Sequence, residues 1–180
     1  MSDPDPQLSA MLAREAAMGM PPEGSDSVAR ARALGSAATA QLEEEMSSGG
    51  VHALLALEAL RAADPDAYAT IPAAERAAVY AEALAASQSF NAWGLPGFAL
   101  TDTSRAVVAL GPDAVAALRP LLADERPAPL FGSQDATTSA AYGNRVRDYA
   151  FVLIAEILGL AYEYDESPAD RDRQIAALPS

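Results

Sequence analysis

The segment Ala106–Asp124, AVVALGPDAVAALRPLLAD, constrains this chain more than any other. Apolar residues run to Leu110, Gly111 offers a left-handed stop, and Pro112 suits a first helical position, where a missing N–H costs nothing. Val115, Leu118 and Leu122 then recur at i, i+3 and i+7, forming one apolar stripe. Two helices joined by a tight turn are therefore expected. A pair this short cannot bury its own stripe, so it must stack on further helices. Pro120 falls inside the second helix and takes away the partner of the Ala116 carbonyl, which predicts a kink there.

Composition agrees. Of the 180 residues 51% are hydrophobic, and many of these are alanine, which buries little area but has the highest helix propensity. No segment sustains period-two alternation, so no sheet is expected. The expectation is an all-α stack of about seven helices. It is divided into an acidic, weakly ordered segment at 1–26, carrying a short helix with Leu8, Met11, Leu12 and Met18 on a loose stripe, and a single helical domain at 27–180. Within that domain helices are read at 27–46 (interrupted by Gly35), 51–63, 72–86, 101–110, 113–123, 144–159 and 167–178. The 51–63 helix should be largely buried. The 144–159 helix, capped by Asn144, carries two adjacent apolar stripes, Val146-Ala150-Leu153-Ile157 and Phe151-Ile154-Leu158, and should sit centrally.

ALGPDAVAALRPLLAD followed by RVRDYAFVLIAEILG resembles the HEAT class of helical repeats in its short bacterial form. The features that carry this are Leu110-Gly111-Pro112, Leu121-Leu122 before Asp124, and Val146-Arg147-Asp148-Tyr149-Ala150. The resemblance covers about residues 101–159. It implies HEAT-like helical pairs in the C-terminal half and a scaffold that binds proteins or peptides, and it implies no particular site. The connection from Asp124 to Asn144 is longer than a regular array would have.

Charge narrows the function classes. The chain carries 25 acidic residues against 12 basic ones, a net charge of −13, and every basic residue is arginine. Arg14, Arg61, Arg105, Arg126 and Arg171 are scattered, so no cluster exists to neutralise phosphates, and neither nucleic acid nor an anionic membrane surface is an expected partner. No apolar run approaches the roughly 20 residues that span a bilayer, so no membrane insertion is expected. The acidic, prolyl start Met1-Ser2-Asp3-Pro4-Asp5-Pro6 does not read as a secretory signal, which favours a cytoplasmic protein. Without cysteine there is no disulfide, thiolate zinc site or cysteine nucleophile.

No catalytic signature stands out. His52 is the sole histidine and has no identifiable partner in the sequence. Glu163, Asp165, Glu166, Asp170 and Asp172 offer oxygen ligands without the spacing of a calcium loop, and Glu43-Glu44-Glu45 splay around a helix. No serine sits in a nucleophile elbow, and no glycine-rich phosphate loop is present. Neither metal nor cofactor is expected.

Two places invite a binding reading. Trp93, in Asn91-Ala92-Trp93-Gly94, is either a core wedge or an exposed interface anchor. The polar connection 124–143 is either a functional loop or a cover over the helices. Gln134, Asp135, Tyr142 and Arg145 are the candidate contact residues there, with Trp93 as neighbour. For Arg145, Arg147 and Asp148 the competing reading is pairing between helices. The expected function is a protein-binding adaptor or scaffold with a partner of basic charge. An acidic inhibitor that neutralises a basic protein is one alternative, and an enzyme with a carboxylate and hydroxyl site in 124–143 is another.

Overall fold

The computed structural model describes residues 4–87, 91–130 and 135–179. The chain is all-α, apart from one two-stranded hairpin among the described residues. Contacts divide it into two compact units, Met1–Ser87 and Gln88–Ser180. The N-terminal segment through residue 26 belongs to the first of these units.

In the first unit α1 (Pro6–Ala17), α2 (Asp26–Leu34), α3 (Thr39–Glu45), α5 (Pro65–Thr70) and α6 (Ala73–Ala86) all pack on α4 (Gly50–Ala63). Every residue of α4 from Ala53 to Leu60 is buried, as its sequence requires of a helix that is apolar on most faces. The N-terminal segment is held more firmly than expected. Asp5 caps α1, and Leu8 and Leu12 are fully buried, whereas Met18 is exposed. Docking thus runs through Leu8 and Leu12. The Glu15 carboxylate, also buried, accepts from the Asp26 and Ser27 N–H groups at 2.9 and 3.2 Å and from the Ser27 hydroxyl at 2.5 Å. It occupies the electropositive start of α2, which ties α1 to α2.

The 27–46 segment breaks at Gly35 into α2, a 3-10 turn and α3. Asp64-Pro65, just after the helix expected at 51–63, begins a further one. Asp64 accepts from the Ala67 N–H at 3.0 Å, a bond that holds its carboxyl below the usual range, and Pro65 takes the first position of α5.

In the second unit β1 (Gly94–Leu95) pairs antiparallel with β2 (Ala99–Leu100). The absence of a sheet was expected, and this hairpin corrects it: strands of two residues are too short to show alternation. The turn is legible in hindsight. The Phe98 N–H bonds the Leu95 carbonyl at 3.0 Å across Pro96-Gly97, and Gly97 has φ +76°, the arrangement of a type II turn. Then come α7 (Asp102–Ala109), α8 (Pro112–Leu118), α9 (Asp135–Tyr142), α10 (Val146–Leu158) and α11 (Pro168–Ala176). Gly111 adopts φ +62° between α7 and α8 and Pro112 starts α8, as expected. The disruption expected at Ala116 comes three residues later: at Arg119 the α-helix gives way to a 3-10 turn, Arg119–Ala123, which contains Pro120.

α10 is the centre of this unit. α7, α8 and the 3-10 turn all pack on it, and its residues 148–155 are buried. Two expectations at its start are corrected. The connection 124–143 contains a helix, α9. The residue flanking α10 is Arg145 and not Asn144; the cap comes from inside the helix, where the Asp148 carboxylate accepts the Arg145 N–H at 2.8 Å. Residues 124–128 run antiparallel to 144–147, with Ala128 N–H on the Asn144 carbonyl at 2.8 Å and Val146 N–H on the Arg126 carbonyl at 3.0 Å. Among the described residues no single helix is long and apolar enough to cross a membrane.

Candidate functional site

At the start of α10 the chain gathers charges that the sequence scatters. Asp148 and Arg171 are both 0% exposed. The Arg171 guanidinium lies 3.1 Å from Asp148 Oδ1 and donates to the carbonyls of Asp165 (2.7 Å) and Tyr142 (2.9 Å). One arginine thereby ties α11, the acidic 163–166 turn and the end of α9 to α10. Its planar fork suits this task better than an ammonium, because several donors point outward in fixed directions. Arg145 grips Asp148 at 2.9 Å and Asp172 at 2.7 Å. The Asp148 carboxylate holds the Arg145 guanidinium protonated beyond its ordinary range, and Arg145 in turn keeps Asp172 below the usual carboxylate range.

Above this ion cluster stands a row of aromatic rings. Tyr164 stacks on Tyr142 with centroids 5.7 Å apart, and Phe98 meets Tyr142 edge-on at 5.5 Å. The Tyr164 hydroxyl donates to Asn144 Oδ1 at 2.6 Å, and the Arg171 guanidinium lies 5.2 Å from the Tyr164 ring centroid. Burial, with the Asp148 carboxylate adding, pushes the Tyr164 phenol above its usual range. Gly97 is what lets the hairpin sit against this row. A Cβ at that position would fall 2.2 Å from the Tyr164 Cβ, so a side chain cannot be accommodated. Phe98, next to it, remains 58% exposed at the hairpin tip.

The structure separates the expected contact residues. Tyr142 and Arg145 do come together here, but Arg145 is 14% exposed and its donors go to Asp148 and Asp172, so the pairing reading holds for it. Arg147, likewise, bonds Glu125 at 2.7 Å. Trp93 is 2% exposed and its carbonyl accepts from the Ser104 hydroxyl at 2.7 Å; the indole is a core wedge and not an exposed anchor. Gln134 lies outside the described residues, and Asp135 is described only as the first residue of α9. The residues that sequence reasoning missed are Phe98 and Tyr164, which lie 44 and 22 residues from Tyr142. The signal for Phe98 was the Pro96-Gly97 turn, which must put the following side chain at a tip.

Elsewhere, His52 Nε2 lies 2.8 Å from Glu45 Oε2, and the Ser9 hydroxyl bonds the other oxygen of the same carboxylate. The carboxylate, not the imidazole, stands in the middle, so His52 cannot take a proton from Ser9 in this arrangement. In the 124–143 connection Asp124 pairs with Arg126, and the buried Ser139 hydroxyl accepts from Asn144 at 3.2 Å. Among the described residues no three histidine, aspartate or glutamate side chains converge to hold a metal ion. No protein-family model, curated protein or solved structure matches the chain.

Proposed function

We propose that this chain is a protein-binding module whose contact surface centres on Phe98, with Tyr142 and Tyr164 behind it. The observation that carries this is a large apolar ring left exposed at the tip of a tight hairpin and backed by two further rings. Rigid aromatic side chains lose little entropy on binding, and aromatic residues dominate interface hot spots. The buried ion cluster beneath fixes the row, so the surface is organised before a partner arrives. The HEAT-like reading of 101–159 belongs to this proposal and is supported by α7 and α8 both packing on α10. The alternative of an acidic neutraliser of a basic protein is favoured by the net charge of −13 and differs in the partner's role, not in the surface. A catalytic site in 124–143 gains no support from Asp124 and Glu125, which pair with Arg126 and Arg147.

The test compares wild type with Phe98→Ala and Phe98→Asp. Each is used as bait in extract of the native cell, and the specifically retained proteins are quantified. A partner recovered by wild type should be lost about tenfold or more with either variant, the scale of one hot-spot aromatic. The melting temperature should be unchanged, because Phe98 is exposed. Equal recovery by Phe98→Asp overturns the proposal.

A further inference from the structure

Beside the aromatic row lies a cleft of about 100 Å³ lined by Gly97, Phe98, Ala99, Leu100, Glu156 and Tyr162. Two of its walls are aromatic rings and one is a carboxylate. The Tyr162 ring is fixed from two sides: it meets Phe151 edge-on at 5.7 Å, and its hydroxyl donates to Glu156 Oε1 at 2.9 Å. That bond also orients the carboxylate. Burial and the Glu156 charge together raise the Tyr162 phenol above its usual range, so it remains a donor. Unlike Asp102, Asp124, Glu125, Asp148 and Asp172, which each have an arginine partner, and like Asp113, Glu163, Asp165 and Glu166, Glu156 makes no ion pair among the described residues.

We infer that this cleft receives the basic side chain, arginine or lysine, of the protein partner. The inference rests on the protein-binding reading above and names the chemistry that its surface selects. A cation entering between Phe98 and Tyr162 is attracted by the negative faces of the rings and meets the Glu156 carboxylate. An acidic side chain is repelled by the same carboxylate. An apolar one strips water from Glu156 and returns no hydrogen bond. The whole-chain charge of −13 acts in the same direction, steering a basic partner toward the surface before contact.

The probe is a set of blocked pentapeptides, acetyl-Ala-Ala-X-Ala-Ala-amide, with X arginine, norleucine or glutamate, titrated into the full ¹⁵N-labelled chain. The arginine peptide should shift the amides of Phe98, Leu100, Glu156 and Tyr162 saturably. The norleucine peptide should bind about fivefold more weakly or worse, and the glutamate peptide not at all. Glu156→Gln keeps an acceptor for the Tyr162 hydroxyl, so it should leave the melting temperature unchanged while weakening the arginine peptide about fivefold, the scale of one partly exposed ion pair. Equal binding of arginine and norleucine, arginine affinity undiminished in Glu156→Gln, or arginine shifts that scatter over the acidic surface, overturns the inference. The two proposals fail separately. A native partner lost with Phe98→Asp but fully kept with Glu156→Gln leaves the aromatic surface standing and removes the cation. A partner kept with Phe98→Asp removes the surface, whatever the peptides do.

Discussion

Arg171 and Asp148 show what a single pair of residues decides in this molecule. Both are fully out of water, a state in which a lone charge would cost several kcal/mol, and the pair is tolerated because the two charges meet at 3.1 Å and share further partners. Asp148 takes Arg171, Arg145 and the Arg145 N–H; Arg171 adds the carbonyls of Tyr142, Gly143, Asp165 and Glu166. Arg171→Met strands Asp148 on one remaining arginine and leaves four carbonyls unanswered. We expect a loss of roughly 3–5 kcal/mol in urea unfolding. Arg171→Lys should recover only part of it, since an ammonium offers three donors without the planar fork. A loss within about 0.5 kcal/mol for Arg171→Met, the range of an ordinary surface change, would show that the pair does not organise the unit.

Among the elements, α10 and α4 hold corresponding places, each being the helix around which its unit is built. Their burial is legible in sequence because both are apolar on more than one face. Leu153, on the inner stripe of α10, is 2% exposed. Leu153→Ala should cost roughly 2–5 kcal/mol, the range for truncating a buried leucine. Trp93 lies in the same unit and supplies a fluorescence readout of that unit's transition. Arg14→Ala, on the exposed side of α1, should stay within about 0.5 kcal/mol, and equal costs for the two variants would remove α10 from the centre. The elements that escaped the sequence reading are short. α5 and α9, of six and eight residues, carry no stripe of large apolar side chains at helical spacing, unlike the equally short α7 and α8. α9 is hidden further by its threonines and serine, whose side chains compete locally for backbone hydrogen bonds and read as loop.

At the scale of the whole molecule, charge is the property that composition states outright. A net of −13 with no lysine and no arginine cluster gives no electrostatic footprint for phosphates. Fluorescence anisotropy with labelled duplex and single-stranded oligonucleotides at near-physiological salt should therefore show no binding. Saturable binding there would mean that arginines distant in sequence form a surface that the composition conceals. The fold does bring Arg145, Arg147 and Arg171 together, but with Asp148, Asp172 and Glu125 among them, so the gathering is neutralised internally and leaves no positive face.

The sequence by itself determined the helical class, the two most buried helices, the Gly111-Pro112 junction and, though not its position, a disruption of the helix that carries Pro120. Each of these follows from local terms: alanine propensity, stripes at helical spacing, a glycine that tolerates positive φ, a proline without an N–H. Of the candidate surface it disclosed Tyr142 alone in a useful way, and it offered Trp93 without deciding between core and interface. Only the tertiary structure decided that Trp93 is buried, that Arg145 is spent on Asp148 and Asp172, and that Phe98, Tyr142 and Tyr164 form one row. These outcomes depend on residues tens of positions apart, and no local energy links them. They are set when α11 and the 94–100 hairpin close on α10, a step held by the buried Arg171–Asp148 pair and by the close approach that Gly97 permits.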